Sequence, residues 1–413
     1  MPKTIKTLWG LPAEVQFCTR CVMSNQKAQS VSEYEHRADS IKTTLPFDSE
    51  GVCLACHQMD KVHHEINWTA REQDLLALLG RHRRQDGSYD VLVPGSGGKD
   101  SAMAAHLLKY KYGMHPLTVT WAPHLYTDIG WKNLQDFIHV GGFDNELFTP
   151  NGRVHRLLTR LAFVNLLHPF QPFIVGQKTF APKMALKHNI KLVFYGDSPG
   201  QYGQQVPIDR QSQFEDRAEA PGFRLRHDPT HLHLGGVSAQ ELVSGHSLAP
   251  ADLLPYLPAD GDALSAAKIE FHFLGYYIRW VPQEAYYYAA EHTGFQANEE
   301  RSEGTYSKYS SLDDKIDGFN YWTTFVKFGI GRATYDASQE IQQRHITRSE
   351  GVALVRRFDG EFPVRYFREI LEYLSLSEDE FHEIADRFRS PHLWHNETGV
   401  WKLRAQVELF RPV

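Results

Sequence analysis

The stretch YDVLVPGSGGKDSAMAAHLL, residues 89–108, decides the fold. It begins as an apolar run typical of a buried β-strand and ends rich in alanine and leucine, which favour an α-helix. Glycines, serines and one lysine lie between the two parts. A strand that passes through a glycine-rich turn into a helix is typical of parallel α/β sheets, where ligands bind at the carboxyl ends of strands. The stretch therefore predicts an anion site at the free N–H groups of the helix.

The turn itself predicts a phosphate cradle, with a plain glycine-rich connection as the alternative. Its glycines let the backbone direct successive amides at one point, and its serines and lysine add donors and charge. A Walker A loop is excluded because Gly98-Lys99 is followed by Asp100, which also stands where a dinucleotide-binding loop has its last glycine. The predicted cofactor-binding residues here are Pro94, Gly95, Ser96, Gly97, Gly98, Lys99, Asp100 and Ser101.

Strand-like and helix-like segments alternate from residue 85 to about residue 200. This alternation predicts an α/β fold with a doubly wound, mostly parallel sheet. Capping boxes at 347–350 and 377–380 predict helix starts in a helical C-terminal region. The predicted strands are 89–94, 115–121, 143–148, 191–196 and 271–280, and a single helix is predicted over 60–83.

Composition describes an ordinary globular chain of two or three structural units. The 413 residues are 42% hydrophobic and 23% charged, and the net charge of −6 argues against a nucleic-acid partner. No apolar run of about 18 residues and no secretory signal is found in the sequence. We therefore expect a soluble, cytoplasmic protein without membrane insertion.

Four cysteines form two pairs near the N-terminus, each with two residues between its members. Two such pairs supply four thiolates at the spacing of a closed tetrahedral site, which predicts structural Zn²⁺; buried reduced cysteines or disulfides are the alternative. No other cysteine is present, so none is left to act as a nucleophile or sulfur carrier. The predicted metal ligands are Cys18, Cys21, Cys53 and Cys56.

SGGKDS, residues 96–101, resembles the PP-loop of the ATP pyrophosphatase superfamily. The resemblance implies that the loop grips the β,γ-pyrophosphate of ATP while the α-phosphate is attacked, and that Thr120 and Trp121 lie near adenine and ribose. Mg²⁺ would need carboxylates, for which Asp100 and Asp197 are candidates beside their ordinary roles in a helix cap and a turn.

Four separated segments narrow the resemblance: CTRCVMSNQ (18–26), LPFDSEGVCLACH (45–57), VPGSGGKDS (93–101) and GTYSKYSSLDDKIDGFNYWTTFVKFGIGRATYDASQEI (304–341). Together they resemble the N-acetyl sugar amidotransferases of O-antigen and sialic-acid-like sugar pathways. The family resemblance implies that ATP adenylates the carbonyl oxygen of a sugar N-acetyl group and that ammonia displaces AMP to leave an acetamidino group. The acetamido sugar is either nucleotide-linked or a free acid.

Departing phosphates need fixed cations, and the last segment supplies candidates. Lys308 lies in a loop suited to closing over ATP and is predicted to be catalytic together with Lys99, Asp100 and Asp197. Further predicted ATP ligands are Lys327 and Arg332. Asp313 and Asp314 either bind metal or begin the next helix.

The cysteine count bears on the nitrogen source. Glutaminases with a cysteine nucleophile need a thiol that this chain does not have to spare. The resemblance implies a separate glutaminase subunit with a barrel-shaped, ammonia-conducting partner. A tRNA-modifying enzyme of the thiolase type is the first alternative function, and a non-catalytic nucleotide-binding subunit is the second.

The predicted domains follow from these features. They are a zinc-binding module with its lead-in helix (1–84), the PP-loop core (85–200), an insertion that offers a substrate region (201–265), the completion of the core with an ATP lid loop (266–345) and a helical C-terminal region (346–413).

Overall fold

A parallel five-stranded sheet forms the centre of the computed structural model, which describes residues 5–29, 33–197 and 232–408. The strand order is β3-β2-β1-β4-β7, and every neighbouring pair is parallel. The strands are β1 (Val91–Pro94), β2 (Pro116–Trp121), β3 (Asp144–Phe148), β4 (Leu192–Tyr195), β5 (His233–Leu234), β6 (Val237–Ser238), β7 (Glu270–Phe273), β8 (Trp394–Glu397) and β9 (Val400–Leu403).

Helices cover both faces of this sheet. They are α1 (Leu54–His64), α2 (Trp68–His82), α3 (Lys99–His106), α4 (Asp128–His139), α5 (Gly152–Leu166), α6 (Gln171–Lys187), α7 (Ala239–Gly245), α8 (Pro250–Leu253), α9 (Gly261–Ala266), α10 (Leu274–Tyr277), α11 (Pro282–Thr293), α12 (Asp317–Phe328), α13 (Arg332–Gln342), α14 (Arg348–Phe358), α15 (Phe367–Leu374) and α16 (Glu378–Asp386). The doubly wound α/β fold and the helical C-terminal region predicted from the sequence are confirmed.

The central strand shows why the sheet needs two layers of helices. Leu92 packs into one hydrophobic core with α5 and α6, whereas Val91 and Val93 pack into another with α2, α3, α4 and α11. All three side chains are fully buried. An apolar run without polar alternation is therefore explained by burial on both faces.

Three sequence predictions need correction. The strand predicted over 271–280 ends at Phe273 and continues as α10, because its neighbour β4 has only four residues to pair with. The single helix predicted over 60–83 is two helices, since the Asn67 side chain accepts a hydrogen bond from Ala70 N and starts α2. The C-terminal region also contains the antiparallel hairpin β8–β9, which was not predicted. The insertion predicted at 201–265 lies partly outside the described residues.

The N-terminal module packs against the C-terminal region. Its cysteines share a hydrophobic core with Phe328, Ile330 and Trp394. The Arg348 guanidinium donates hydrogen bonds to the carbonyl oxygens of Cys18 and Cys21. Within the described part of the chain, no helix combines the length and the apolar composition needed to cross a bilayer.

We predict that Gly176→Ala destabilises the fold. A Cβ at Gly176 would lie 2.2 Å from ring atoms of Trp121, so α6 and β2 would have to separate. Overpacking of this kind costs about 1–3 kcal/mol in the free energy of unfolding, measured by urea denaturation with circular dichroism.

The matched control is Gly80→Ala, in the exposed part of α2, where a Cβ would meet no atom within 4 Å. We expect it to be neutral or stabilising by up to about 1 kcal/mol. Equal stability of the two variants would contradict the close contact between α6 and Trp121.

Candidate functional site

The predicted phosphate turn connects β1 directly to α3. Gly98 is the N-cap of α3 and has an extended backbone. Gly97 has a φ of +82°, and a Cβ there would lie 2.8 Å from Cα of Leu134. A Cβ at Gly95 would lie 2.2 Å from Cβ of Ser101. Glycine is required at these two positions because the turn runs against α3 and α4 without room for side chains.

Charged residues begin α3 at the end of this turn. Lys99 Nζ donates a hydrogen bond to Asp100 Oδ2 at 2.6 Å, and Trp280 Nε1 donates to Asp100 Oδ1 at 2.9 Å. Thr120 Oγ1 donates to the carbonyl oxygen of Gly95 at 2.6 Å, which joins the end of β2 to the turn. The lysine ammonium and the carboxylate are thus held beside the free N–H groups of a helix N-terminus.

A cavity of about 290 Å³ lies beside the turn, and we call it the loop cavity. One wall comes from the turn and α3, and the opposite wall comes from the segment around residue 312. The loop cavity is lined by Ser96, Gly97, Gly98, Lys99, Asp100, Gly130, Asn133, Phe295, Tyr309, Ser310, Ser311, Leu312, Asp313, Asp317 and Arg332.

The opposite wall brings two carboxylates and a guanidinium to the turn. Ser96 Oγ donates to Asp313 Oδ2 at 2.7 Å. Burial raises the pKa of the Asp313 carboxyl, and it raises the pKa of the Asp317 carboxyl to about 7 although Arg332 acts against it. Arg332 Nε donates to Asp336 at 2.9 Å. The loop cavity therefore contains fixed cations for an anionic ligand and two carboxyls with raised pKa values, of which Asp317 titrates near neutral pH.

Two predicted cations lie elsewhere. Lys308 Nζ donates to the carbonyl oxygen of Glu299 at 2.6 Å, and its side chain is exposed. Lys327 is buried, its Nζ donates to the carbonyl oxygen of Leu166 at 2.7 Å, and burial lowers the pKa of its amine. Neither residue lines the loop cavity in the described parts of the chain. The structure thus brings Arg332 to the turn and leaves these two lysines apart from it.

Three further residues singled out from the sequence also lie away from the loop cavity. Asp197 follows β4, is half-buried, and its carbonyl oxygen accepts a hydrogen bond from Gly275 N at 3.1 Å. Trp121 is buried in the core with its ring 5.0 Å from that of Phe148. Asp314 is buried and accepts hydrogen bonds from both the backbone N–H and Nδ1 of His124 at 2.7 Å. These three residues lie outside the lining of the loop cavity.

Sequence reasoning missed eight residues that line the loop cavity, and three of them, Asp317, Tyr309 and Phe295, contribute a carboxyl group and two aromatic rings. Asp317 stands four residues after Asp313 and begins α12, and a further carboxylate so close in sequence to Asp313 was the signal which could have identified it. Tyr309 stacks on Tyr286 with ring centroids 4.6 Å apart, and Phe295 follows α11. No local motif marks these aromatic residues, because they reach the turn only through tertiary packing.

The four predicted metal ligands form one buried cluster in which all sulfurs lie within 4.8 Å of one another. Cys18 and Cys56 Sγ are 3.8 Å apart, and Cys21 and Cys53 Sγ are 3.7 Å apart. A tetrahedral Zn²⁺ with Zn–S bonds of about 2.3 Å places its sulfurs about 3.8 Å apart. The cluster therefore has the ligand set and the size that structural zinc requires.

Backbone N–H groups surround these sulfurs. Those of Arg20, Cys21 and Cys53 lie 3.3–3.4 Å from Cys18 Sγ. The neighbouring thiols, Cys21 first, hold the pKa of the Cys18 thiol far below its ordinary value, whereas burial raises the pKa of the Cys21 thiol. N–H donors stabilise thiolate, which is the form that binds metal.

We predict that Cys53→Ser loses most of the bound zinc and lowers the thermal denaturation midpoint, because three sulfurs no longer close a tetrahedral site. Metal analysis of the purified chain measures the first effect. The control is Thr19→Ala, between Cys18 and Cys21 of the other pair, whose hydroxyl binds only the carbonyl oxygen of Glu50 among the described residues. Wild-type metal content in Cys53→Ser would rule out zinc ligation by this cluster.

Comparisons with known proteins match separate parts of the chain. Residues 303–408 match the family model described as LPS biosynthesis protein WbpG-like, C-terminal domain. A segment of 78 residues is 30% identical to an uncharacterized protein of Methanocaldococcus jannaschii, and it covers 19% of this chain and 27% of that protein. The chain thus spans about a quarter of the length of the curated relative that it matches.

Three solved structures are similar in part. They are an NH₃-dependent NAD synthetase from Campylobacter jejuni (12% identity, TM-score 0.27, covering 49% of this chain and 93% of that chain), an NMN synthetase from Francisella tularensis (14%, 0.27, 62% and 93%) and a predicted subunit of tRNA methyltransferase from M. jannaschii (18%, 0.22, 43% and 84%).

The family model and the loop cavity meet in one part of the chain. The matched region includes the whole segment from Tyr309 to Asp317, together with Arg332, that faces the phosphate turn. It also includes the whole of the last of the four segments on which the sequence resemblance rests. Residues 303–408, which match this family model and are here named the WbpG-like domain, therefore supply the wall opposite the phosphate turn.

Proposed function

We propose that the protein is an ATP-dependent N-acetyl sugar amidotransferase of LPS O-antigen synthesis. It adenylates the N-acetyl carbonyl of an acetamido sugar, and ammonia then displaces AMP to give an acetamidino sugar. The observation that supports this most directly is the loop cavity, in which a glycine-rich turn and Lys99 face Asp313, Asp317 and Arg332. The WbpG-like domain supports the pathway.

Phosphate binding is the part of the reaction assigned to the turn. Backbone N–H groups at the start of α3 and Lys99 hold the β,γ-pyrophosphate, which is the leaving group when the amide oxygen attacks the α-phosphorus. Arg332 offers a second cation from the opposite wall. Asp100 and Asp313 have the oxygen donors that Mg²⁺ prefers and lie in the same cavity, so they would hold the ion that neutralises phosphate charge.

Proton transfer is the part assigned to Asp317. An amide that is adenylated on oxygen becomes an imidate, so its N–H proton must leave as the O–P bond forms. A general base works best when its pKa is near the operating pH. Burial raises the pKa of Asp317 to about 7, and the carboxyl lines the loop cavity. We assign it as the acceptor of the amide proton.

Ammonia has to come from another chain under this proposal. All four cysteines of the chain are buried in one cluster, so none serves as a glutaminase nucleophile or as a sulfur carrier. The proposed partners are a glutaminase subunit and an ammonia-conducting barrel subunit. The same lack of a free thiol, with a net charge of −6, makes the tRNA thiolase alternative the weaker one.

The first prediction concerns Lys99. Lys99→Ala should lower sugar-dependent exchange of ³²P-pyrophosphate into ATP by about 10²–10³-fold, because one fixed cation is lost from the leaving group. The assay uses a panel of free and nucleotide-linked acetamido sugars. Lys111→Ala is the matched control, since that lysine lies on the surface after α3 and pairs with Glu72. Wild-type protein without exchange on any such sugar would overturn the proposed function.

The second prediction concerns pH. Asp317 is protonated below its pKa of about 7 and accepts a proton only above it, so the exchange rate should rise as pH increases from 6 to 8. Exchange needs no ammonia, so protonation of ammonia does not affect this measurement. Asp317→Asn should be slow and should lose this rise, whereas the exposed Asp262→Asn should keep it. A rise retained in Asp317→Asn would assign the proton to another group.

A further inference from the structure

A second, narrow cavity adjoins the loop cavity and is lined mostly by residues of the WbpG-like domain. The two cavities share Ser311, Leu312 and Arg332, which form a thin partition between them. The other end of the narrow cavity is lined by Pro363 and by Arg365, whose side chain is exposed. The full lining is Thr127, Asn298, Ser302, Glu303, Ser311, Leu312, Asp314, Lys315, Gly318, Phe319, Tyr321, Arg332, Pro363, Arg365 and Tyr366.

The size of the narrow cavity restricts what it can hold. Its volume is about 40 Å³, whereas the loop cavity has about 290 Å³. A cavity needs roughly 10–15 Å³ on this measure to hold one water molecule. Ammonia is about the size of water, so it fits, and ATP or a sugar does not. The narrow cavity is therefore suited to the smallest reactant of the proposed reaction.

The charges in the lining favour neutral ammonia over ammonium. Lys315, Arg332 and Arg365 supply three cations, and their partner carboxylates lie outside the lining in the described residues. The two acids of the lining are already bonded: backbone N–H groups of residues 364 and 365 donate to Glu303, and those of residues 124, 125 and 316 donate to Asp314. Each cation thus has a carboxylate partner and each acid has its N–H donors, so among the described residues the lining offers an ammonium ion no unpaired carboxylate, whereas NH₃ needs none.

We propose that the narrow cavity is the route by which ammonia reaches the adenylated sugar, across the partition formed by Ser311, Leu312 and Arg332. This inference rests on the proposed function. At the inner end the nitrogen lone pair forms the new C–N bond to the acetyl carbon. The C–O bond to AMP breaks, AMP leaves with its electron pair, and one N–H proton passes to a carboxylate of the loop cavity that is unprotonated at that stage.

The outer end of this route indicates where the ammonia supplier docks. Arg365 is exposed beside Val364, whose side chain is also exposed, and it pairs with the exposed Glu300 at 3.1 Å. A supplier that encloses ammonia must cover this opening, because NH₃ released into water at neutral pH becomes ammonium. The surface around 300–303 and 363–366 is thus the docking position that the route requires.

Gly318 allows a direct test. A Cβ at Gly318 would lie 3.1 Å from Cβ of Pro363, so the two residues face each other in the lining of the narrow cavity. Gly318→Leu should keep sugar-dependent ³²P-pyrophosphate exchange within about twofold of wild type. It should lower amidine formation at limiting ammonium chloride, pH 8, by at least about tenfold, measured by mass spectrometry of the sugar product.

Gly80→Leu is the matched control, because this helical glycine is exposed and a Cβ there meets nothing within 4 Å. It should leave both rates at the wild-type level. If Gly318→Leu also loses ³²P-pyrophosphate exchange, the leucine has damaged the ATP site. Gly318→Ala is then tested in its place, because the single methyl group of alanine already enters the narrow cavity.

The outcomes separate the two proposals. If Gly318→Leu forms amidine with the same ammonia dependence as the wild type, the route is overturned, while its pyrophosphate exchange still supports the proposed function. The same holds for Gly318→Ala if the leucine variant has lost exchange. Absence of exchange in the wild-type protein overturns the proposed function and the route with it. Intact exchange with impaired use of ammonia supports both.

Discussion

Two consecutive carboxylates hold the functional part of this molecule together. Asp313 accepts a hydrogen bond from Ser96 in the phosphate turn, and Asp314 accepts bonds from His124 just after β2. Backbone contact is equally close, because a Cβ at Gly130 would lie 2.4 Å from Cα of Asp313. Buried carboxylates are costly unless they are hydrogen-bonded, so these bonds fix the segment in one position. Without them the loop cavity would lose one wall.

The cysteine cluster supports the same wall indirectly. It packs against Phe328 and Trp394, and Arg348 donates hydrogen bonds to the carbonyl oxygens of Cys18 and Cys21. The N-terminal module therefore contacts the C-terminal region, and that region lines the cavity. A metal ion in the cluster would stabilise the contact between the N-terminal module and the C-terminal region. Because the cluster does not line the loop cavity, the ion would act on stability and not on the proposed reaction.

Sequence patterns identified the features that are local in the chain. The glycine-rich turn, the parallel sheet and the two cysteine pairs each depend on residues that are close in sequence, and all were found. The hairpin β8–β9 and the end of β7 were missed, because their boundaries depend on which strand lies alongside. Lys308 and Lys327 were selected for their charge and their place in the last of the four segments, yet a carbonyl oxygen accepts a hydrogen bond from each amine. Asp317 was overlooked because its burial, which a pattern does not report, gives the carboxyl its raised pKa.

The bond between Ser96 and Asp313 joins residues 217 positions apart. Chains are synthesised at about 5–20 residues per second, so roughly 10–40 s pass between the appearance of these two residues at the ribosome. The turn and its strand can form early, as can the cysteine cluster. The enclosed cavity cannot form until the WbpG-like domain has emerged and closed a long-range contact, which is slow in folding. The loop cavity is thus completed late in the biosynthesis of the chain, after all five strands of the parallel sheet have been synthesised.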